Sequence, residues 1–92
     1  MVETITANDV VELSPMYLFR WEEPQQAFIL LYPEGVVKLN ETGAAILEHC
    51  DGTHTAQEII SKLNETYATD VSEGVYKFLE VSYAKGWIRI KS

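Results

Sequence analysis

Hydrophobic and polar residues follow a strand-like pattern in the first half of the chain. Residues 17–21 are rich in aromatic side chains, residues 27–32 form an unbroken apolar run, and residues 36–39 resume the alternation. Between the last two runs, residues 32–35 have proline at the second turn position and glycine at the fourth, which is typical of a type I turn. The pattern predicts a three-stranded antiparallel meander whose first and third strands are edges.

From residue 40 onward the apolar spacing changes to three and four residues, which predicts helices. Polar caps mark the predicted helix starts, and glycines mark two of the stops. After the last glycine, residues 87–90 alternate like a short strand. The predicted boundaries are an N-cap at Asn40 and a stop at Gly52 for the first helix, a capping box from Thr55 to Glu58 for the second, and a capping box from Asp70 to Glu73 with a stop at Gly86 for the third.

These elements predict one α+β domain with a winged-helix-like architecture. A three-stranded antiparallel meander is followed by three helices and a short C-terminal strand or tail. Ninety-two residues are enough for a single hydrophobic core. We assign residues 15–92 to this domain and residues 1–14 to an N-terminal arm, which is expected either to be mobile or to dock through Val10, Val11 and Leu13.

Composition and charge narrow the class of partner. The hydrophobic fraction of 47% is too high for a disordered chain, and seven basic against fourteen acidic residues give a formal charge of −7. An acidic surface repels phosphate backbones, so we expect no nucleic-acid partner. The chain has one cysteine, no signal-peptide pattern at its start and no apolar run near the roughly 18 residues that span a bilayer. We therefore expect a cytoplasmic protein without a membrane partner.

Candidate catalytic and metal-binding residues are few. His49, Cys50 and His54 cluster in one turn, but a structural zinc site needs four ligands, normally in two separated pairs, and no second pair exists. The glycines occur singly, and there is no Gly-x-Ser-x-Gly elbow or phosphate-binding loop. We expect no enzymatic activity, metal or other cofactor.

Peptide capture is the function that the predicted edge strand favours. An extended peptide binds a free strand edge through main-chain hydrogen bonds, and apolar side chains beside the edge select its sequence. Tyr76 and Tyr83 of the third helix are candidates for such a wall, although both also fit a core position. Two alternatives remain at this point: a winged-helix DNA-binding protein, and a homodimer that pairs through the same edge.

The order and spacing of several short motifs resemble the PqqD family, small proteins of pyrroloquinoline quinone biosynthesis. The resemblance covers roughly residues 13–90. The motifs that carry it are Leu13-Ser14-Pro15, Leu30-Leu31-Tyr32-Pro33-Glu34-Gly35, Leu39-Asn40-Glu41-Thr42, Cys50-Asp51-Gly52 and Gly86-Trp87-Ile88.

The resemblance implies a peptide chaperone of the kind called a RiPP recognition element. Such a domain binds the precursor peptide PqqA as an added strand and presents it to the radical SAM enzyme PqqE. We expect this chain to be a monomer or weak homodimer. Carried onto this chain, the added strand lies between the third strand and the third helix. The resemblance places the edge at Val36, Val37, Lys38 and Leu39, and helical spacing gives Val75, Tyr76, Leu79 and Tyr83 as the expected peptide-binding residues of the helix wall. Val37→Pro is expected to abolish peptide binding, because proline removes a donor from the edge and disturbs the strand.

The chain departs from the family pattern at one position, and the resemblance leaves one alternative. Gly43 stands in the first helix where the family more often has alanine, at a cost of about 0.5–1 kcal/mol of helix propensity. Related leader-binding domains serve other peptide-modifying enzymes, so a leader-binding domain of a different peptide-modification pathway is the alternative function.

Overall fold

A computed structural model describes residues 5–91 and contains six strands and three helices in that range. The predicted α+β class is confirmed, with the meander followed by helices and a C-terminal strand. The elements in chain order are β1 (Val10–Leu13), β2 (Leu18–Glu22), β3 (Ala27–Tyr32), β4 (Gly35–Lys38), α1 (Glu41–Glu48), β5 (Asp51–Thr55), α2 (Ala56–Tyr67), α3 (Ser72–Ala84) and β6 (Ile88–Ile90).

The predicted meander is the sheet β2-β3-β4, which we call the meander sheet. Both of its strand pairs are antiparallel, and the β3–β4 hairpin closes at the pair Tyr32 and Gly35, as the turn chemistry predicts. The face toward the core carries Leu30 of β3, which is fully buried. β2 and β4 are the edges of this sheet.

A second sheet of three strands, in the order β5-β1-β6, was not predicted, and we call it the closing sheet. It corrects the expectation that Gly52 ends the first helix: α1 ends at Glu48, and Gly52 lies within β5. Gly52 has φ +82°, and the β1–β5 register shifts between Val11 and Glu12 on the facing strand. A residue without Cβ suits this irregular pairing because positive φ strains other residues.

Part of the predicted N-terminal arm belongs to the closing sheet. β1 is its central strand, Val11 is fully buried, and Ile5 is also buried in the core. Of the two expectations for the arm, the structure shows docking for residues 10–13. Residues 1–4 of the arm lie outside the described residues.

The helix caps agree with the sequence at two starts and differ at the third. Asn40 Oδ1 accepts a hydrogen bond from the Gly43 N–H at 2.7 Å, and both bonds of the Thr55–Glu58 capping box are present. The predicted box from Asp70 to Glu73 is wrong, because α3 begins one residue later than an Asp70 cap requires and Asp70 bonds the N–H and hydroxyl of Ser72 instead.

The core lies between the meander sheet, the closing sheet and the three helices. It is a single cluster to which both sheets and all three helices contribute buried side chains, and among residues 5–91 no helix is long and apolar enough to cross a membrane. Its buried members are Ile5, Val11, Leu30, Leu39, Ala44, Ile46, Leu47, Cys50, Ala56, Ile59, Ile60, Leu63, Val75, Leu79 and Ile88.

Candidate functional site

The outward edge of β4 carries unpaired backbone groups. Leu39 donates its N–H to the Phe28 carbonyl at 3.0 Å, so this pair is hydrogen-bonded. Hydrogen-bonded and non-bonded pairs alternate along an antiparallel ladder. By the β3–β4 register, Val37 therefore bonds β3, while Val36 and Lys38 direct their N–H and C=O groups away from it. These outward groups are the donors and acceptors that an added strand requires.

The four predicted edge residues divide between two faces of the meander sheet. Val37 is half-buried and Leu39 is buried, because both point toward the core. Val36 is 51% exposed, and Lys38 is also exposed on the opposite face. The side chains of Val37 and Leu39 are thus turned away from a peptide strand added at this edge, and Val36 and Lys38 offer it their outward backbone groups.

An apolar groove of about 310 Å³ begins where β4 ends. Asn40, two residues beyond β4, lines it together with one side of α1 and one side of α3. Its only polar lining residues are Asn40 and Thr42, so it suits apolar side chains. The groove is lined by Asn40, Thr42, Gly43, Ile46, Val71, Gly74, Val75 and Phe78.

Two glycines give this groove its shape. A Cβ on Gly43 would lie 2.9 Å from the ring carbon Cε2 of Phe78, so the aromatic ring packs directly on the α1 backbone. This contact gives a physical reason for the glycine that departs from the family pattern. A Cβ on Gly74 would meet nothing within 4 Å, so the groove is open above that position.

The predicted α3 residues do not share one surface. Val75 and Leu79 are buried in the core, with 1% and 0% exposure, and of the two only Val75 lines the groove. Tyr76 and Tyr83 are half-buried and are not among the lining residues. At 3.6 residues per turn, Tyr76 lies roughly 160° around the helix from Phe78. The contact of Tyr76, Leu79 and Tyr83 with a peptide stays a prediction.

Sequence reasoning missed the other α3 residues that line the groove. Val71, Gly74 and Phe78 recur at spacings of three and four, so with Val75 they form one stripe on the helix. That spacing is visible in the sequence. The signal was hidden because the stripe contains a glycine, which has no side chain to mark it as apolar.

A larger cavity of about 470 Å³ lies on the opposite side of α1, under β2 and β3. Aromatic side chains of Trp21, Phe28 and Tyr67 line it, together with the carboxylates of Glu41 and Glu48. It does not adjoin the α3 stripe. Leu39 and Asn40, the residues that directly follow β4, also line it, so this cavity reaches the end of β4 as well.

The segment from His49 to His54, the candidate metal-binding turn, contains a buried thiol and a hydrogen-bonded carboxylate. Burial raises the pKa of the Cys50 thiol to about 12, with a smaller contribution from the charge of Asp51. Hydrogen bonds from His54 and Thr53 hold the pKa of the Asp51 carboxyl well below its usual value. Between residues 5 and 91, no group of three or more His, Cys, Asp or Glu side chains is placed to hold a metal ion.

The chain is similar to curated proteins named "PqqA binding protein". The protein of Methylococcus capsulatus is 45% identical over 87 residues, which cover 94% of each chain. The protein of Azotobacter vinelandii is 41% identical over 92 residues, which cover 98% of this chain and 99% of the relative.

A solved structure has the same fold. It is the solution NMR structure of the PqqD truncation of Methylobacterium extorquens PqqCD, described as a functional and stand-alone RiPP recognition element. The TM-score is 0.77 at 25% sequence identity, and the match covers 92% of this chain and 94% of the other. The model of the family "Coenzyme PQQ synthesis protein D (PqqD)" matches residues 27–88. The chain therefore belongs to the PqqD family.

Proposed function

We propose that this protein is a peptide chaperone that binds the precursor peptide PqqA by strand addition to β4. The observation that carries the proposal is the free backbone edge of Val36 and Lys38, which ends at an apolar groove. Main-chain bonds at the edge fix the direction and register of the peptide. The groove then selects apolar side chains of the peptide.

The names of the relatives support the choice of ligand. The curated proteins of Methylococcus capsulatus and Azotobacter vinelandii are named for PqqA binding, and the solved neighbour is described as a RiPP recognition element. We extend this to delivery: the bound peptide is presented to the radical SAM enzyme PqqE. In this scheme the protein is a cytoplasmic monomer or weak homodimer, because self-pairing and peptide capture compete for one edge.

We propose further that the protein itself does no chemistry. Its one thiol, Cys50, is buried and has a raised pKa, so it remains protonated and is a poor nucleophile. The groove is lined by apolar side chains, Asn40 and Thr42, none of which titrates near neutral pH. Both features support a binding role, in which the enzyme supplies the reaction.

Titration of the isotope-labelled protein with PqqA tests the proposal. Amide NMR shifts are expected to concentrate on Val36, Lys38, Gly74 and Phe78. A scrambled PqqA sequence is the control for nonspecific binding, and a leader peptide from another pathway tests the alternative function. Equal affinity for all three peptides, or shifts confined to the closing sheet, would contradict the proposal.

A further inference from the structure

The face of the meander sheet that points away from the core carries an apolar row. Leu18, Leu31 and Val36 pair across β2, β3 and β4, so their side chains lie side by side on this face. Leu18 is 65% exposed and Val36 51%, whereas Leu30 on the core side of the same sheet is fully buried. We call this surface the outer sheet face.

The next row of the outer sheet face places a buried side chain between two cations. Arg20, Ile29 and Lys38 pair across the same strands. Ile29 is only 3% exposed, yet it is not part of the core cluster. Its burial therefore comes from neighbours on the outer sheet face, where the stems of Arg20 and Lys38 flank it.

The charge of the outer sheet face is opposite to that of the whole protein. Two of the seven basic residues, Arg20 and Lys38, and one acidic residue, Glu22, lie here, in a chain with a formal charge of −7. Arg20 contacts Glu22 at 3.4 Å, but the arginine side chain is 58% exposed, so the pair is weak and easily exchanged. Within residues 5–91, Lys38 forms no salt bridge. An apolar row beside two available cations is complementary to an apolar surface edged by carboxylates.

We propose that the outer sheet face docks the enzyme that modifies the bound peptide, through an apolar patch of that enzyme edged by Asp or Glu. This inference rests on the proposed function. It follows from position as well as charge, because β4 contributes Val36 and Lys38 to this face and also offers the edge to the peptide. A protein docked here lies beside the peptide without covering the groove.

A second copy of this protein fits the surface less well. Face-to-face pairing would bring Arg20 and Lys38 of one copy toward the same residues of the other, and like charges across an interface are unfavourable. Glu22, the acidic residue on this face, supplies one carboxylate against two cations in each copy.

The test compares PqqE binding with PqqA binding in the same variants, both measured by calorimetry. Leu18→Glu and Arg20→Glu lie on β2, at the opposite edge from β4, so they leave the peptide edge intact. Lys62→Glu on α2 is the control: it makes the same charge change as Arg20→Glu, at an exposed site away from the outer sheet face. If a glutamate variant lowers the melting temperature, the milder variant at the same position, Leu18→Thr or Arg20→Gln, is used in its place.

Leu18→Glu and Arg20→Glu are expected to raise the Kd for PqqE roughly tenfold or more, with the Kd for PqqA within twofold of the wild type. Lys62→Glu should match the wild type in both. Unchanged PqqE binding in folded variants of Leu18 and Arg20 would overturn the inference while PqqA binding still stands. If the wild type binds no PqqA, the proposed function itself fails. Concentration-dependent dimerisation that Leu18→Glu abolishes, or binding of anionic vesicles in preference to PqqE, would assign the face to a different occupant and overturn the inference.

Discussion

The two sheets of this protein are built from the same number of strands but are used differently. The closing sheet joins segments that are far apart in the chain, with Val11 buried at its centre and the Arg89 guanidinium 2.7 Å from Glu12 across β1 and β6. The meander sheet is local in sequence, and it leaves an edge and a partly apolar face exposed. The comparison indicates that one sheet stabilises the fold and the other is free to bind.

The difference follows from connectivity. Pairing β1 with β5 and β6 holds residues 10–13 and 88–90 against the core, and these strands have no binding role in our proposal. The meander needs only short turns to form, and its two outer strands stay edges. An exposed edge is a risk of aggregation unless a partner occupies it, and peptide capture supplies that partner.

The largest expected effect on stability comes from making the same change, valine to aspartate, once in each sheet. Val11→Asp buries an unpaired carboxylate at the centre of the closing sheet and should lower the free energy of unfolding by about 3–5 kcal/mol, a large part of the stability of a small domain. Val36→Asp places the same group on a half-exposed site and should cost no more than about 1 kcal/mol. Urea denaturation measures both. Equal losses in the free energy of unfolding would show that both sheets contribute equally to stability.

The next prediction separates the free edge from the paired side of β4. Val36→Pro should weaken PqqA binding by roughly tenfold or more, because it removes an outward N–H that an added strand would use. The domain should stay folded, since an edge strand tolerates proline where its N–H faces solvent. Val36→Ala keeps the N–H and is the matched control. Calorimetry with PqqA gives the affinities, and a melting curve checks the fold. Normal affinity in a folded Val36→Pro variant would exclude this edge as the site.

The original expectation for Val37→Pro changes as a result. Val37 bonds β3, so proline there removes a bond within the meander rather than a donor at the edge. We expect this variant to lose stability first and to lose peptide binding as a consequence. The sequence could predict the strand but not this distinction, because alternation of side chains does not reveal which backbone groups face the partner strand.

A third prediction concerns the groove. Gly74→Leu places a side chain into open space above α3 and should lower PqqA affinity, while the helix gains about 0.5–1 kcal/mol relative to glycine. Gly74→Ala gives the same backbone gain with little filling and should bind nearly normally. Calorimetry and urea denaturation together provide the readout. Loss of binding in both variants, or in neither, would contradict a groove at this position.

Local signals in the sequence predicted the meander, the Asn40 cap and the Thr55–Glu58 box, because turn and cap chemistry is encoded by adjacent residues. They did not predict the closing sheet, whose pairs join residues 10–13 to residues 51–55 and 88–90. Asp51 and His54 lie in one of those strands despite a polar sequence that favours a turn. Long-range pairing overrode that local preference.

The smallest expected effect lies in the closing sheet and concerns pH. Hydrogen bonds from His54 and Thr53 lower the pKa of Asp51, so its carboxylate stabilises the folded state above the ordinary Asp pKa of about 4, and the stabilisation is lost as pH falls through the lower folded pKa. Asp51→Asn removes that dependence. Because the group is exposed, the loss at pH 7 should be below about 1 kcal/mol.

Urea midpoints at neutral and acidic pH measure this difference between wild type and Asp51→Asn, which should shrink on acidification. Asp70, whose pKa is also lowered by bonds from Ser72, remains in both proteins, so some acid sensitivity persists in the variant. PqqA affinity at pH 7 should be unchanged, because Asp51 is in the closing sheet and the peptide edge is in the meander sheet. A marked fall in affinity would mean that the two sheets are coupled, and the division between a stabilising and a binding sheet would have to be abandoned.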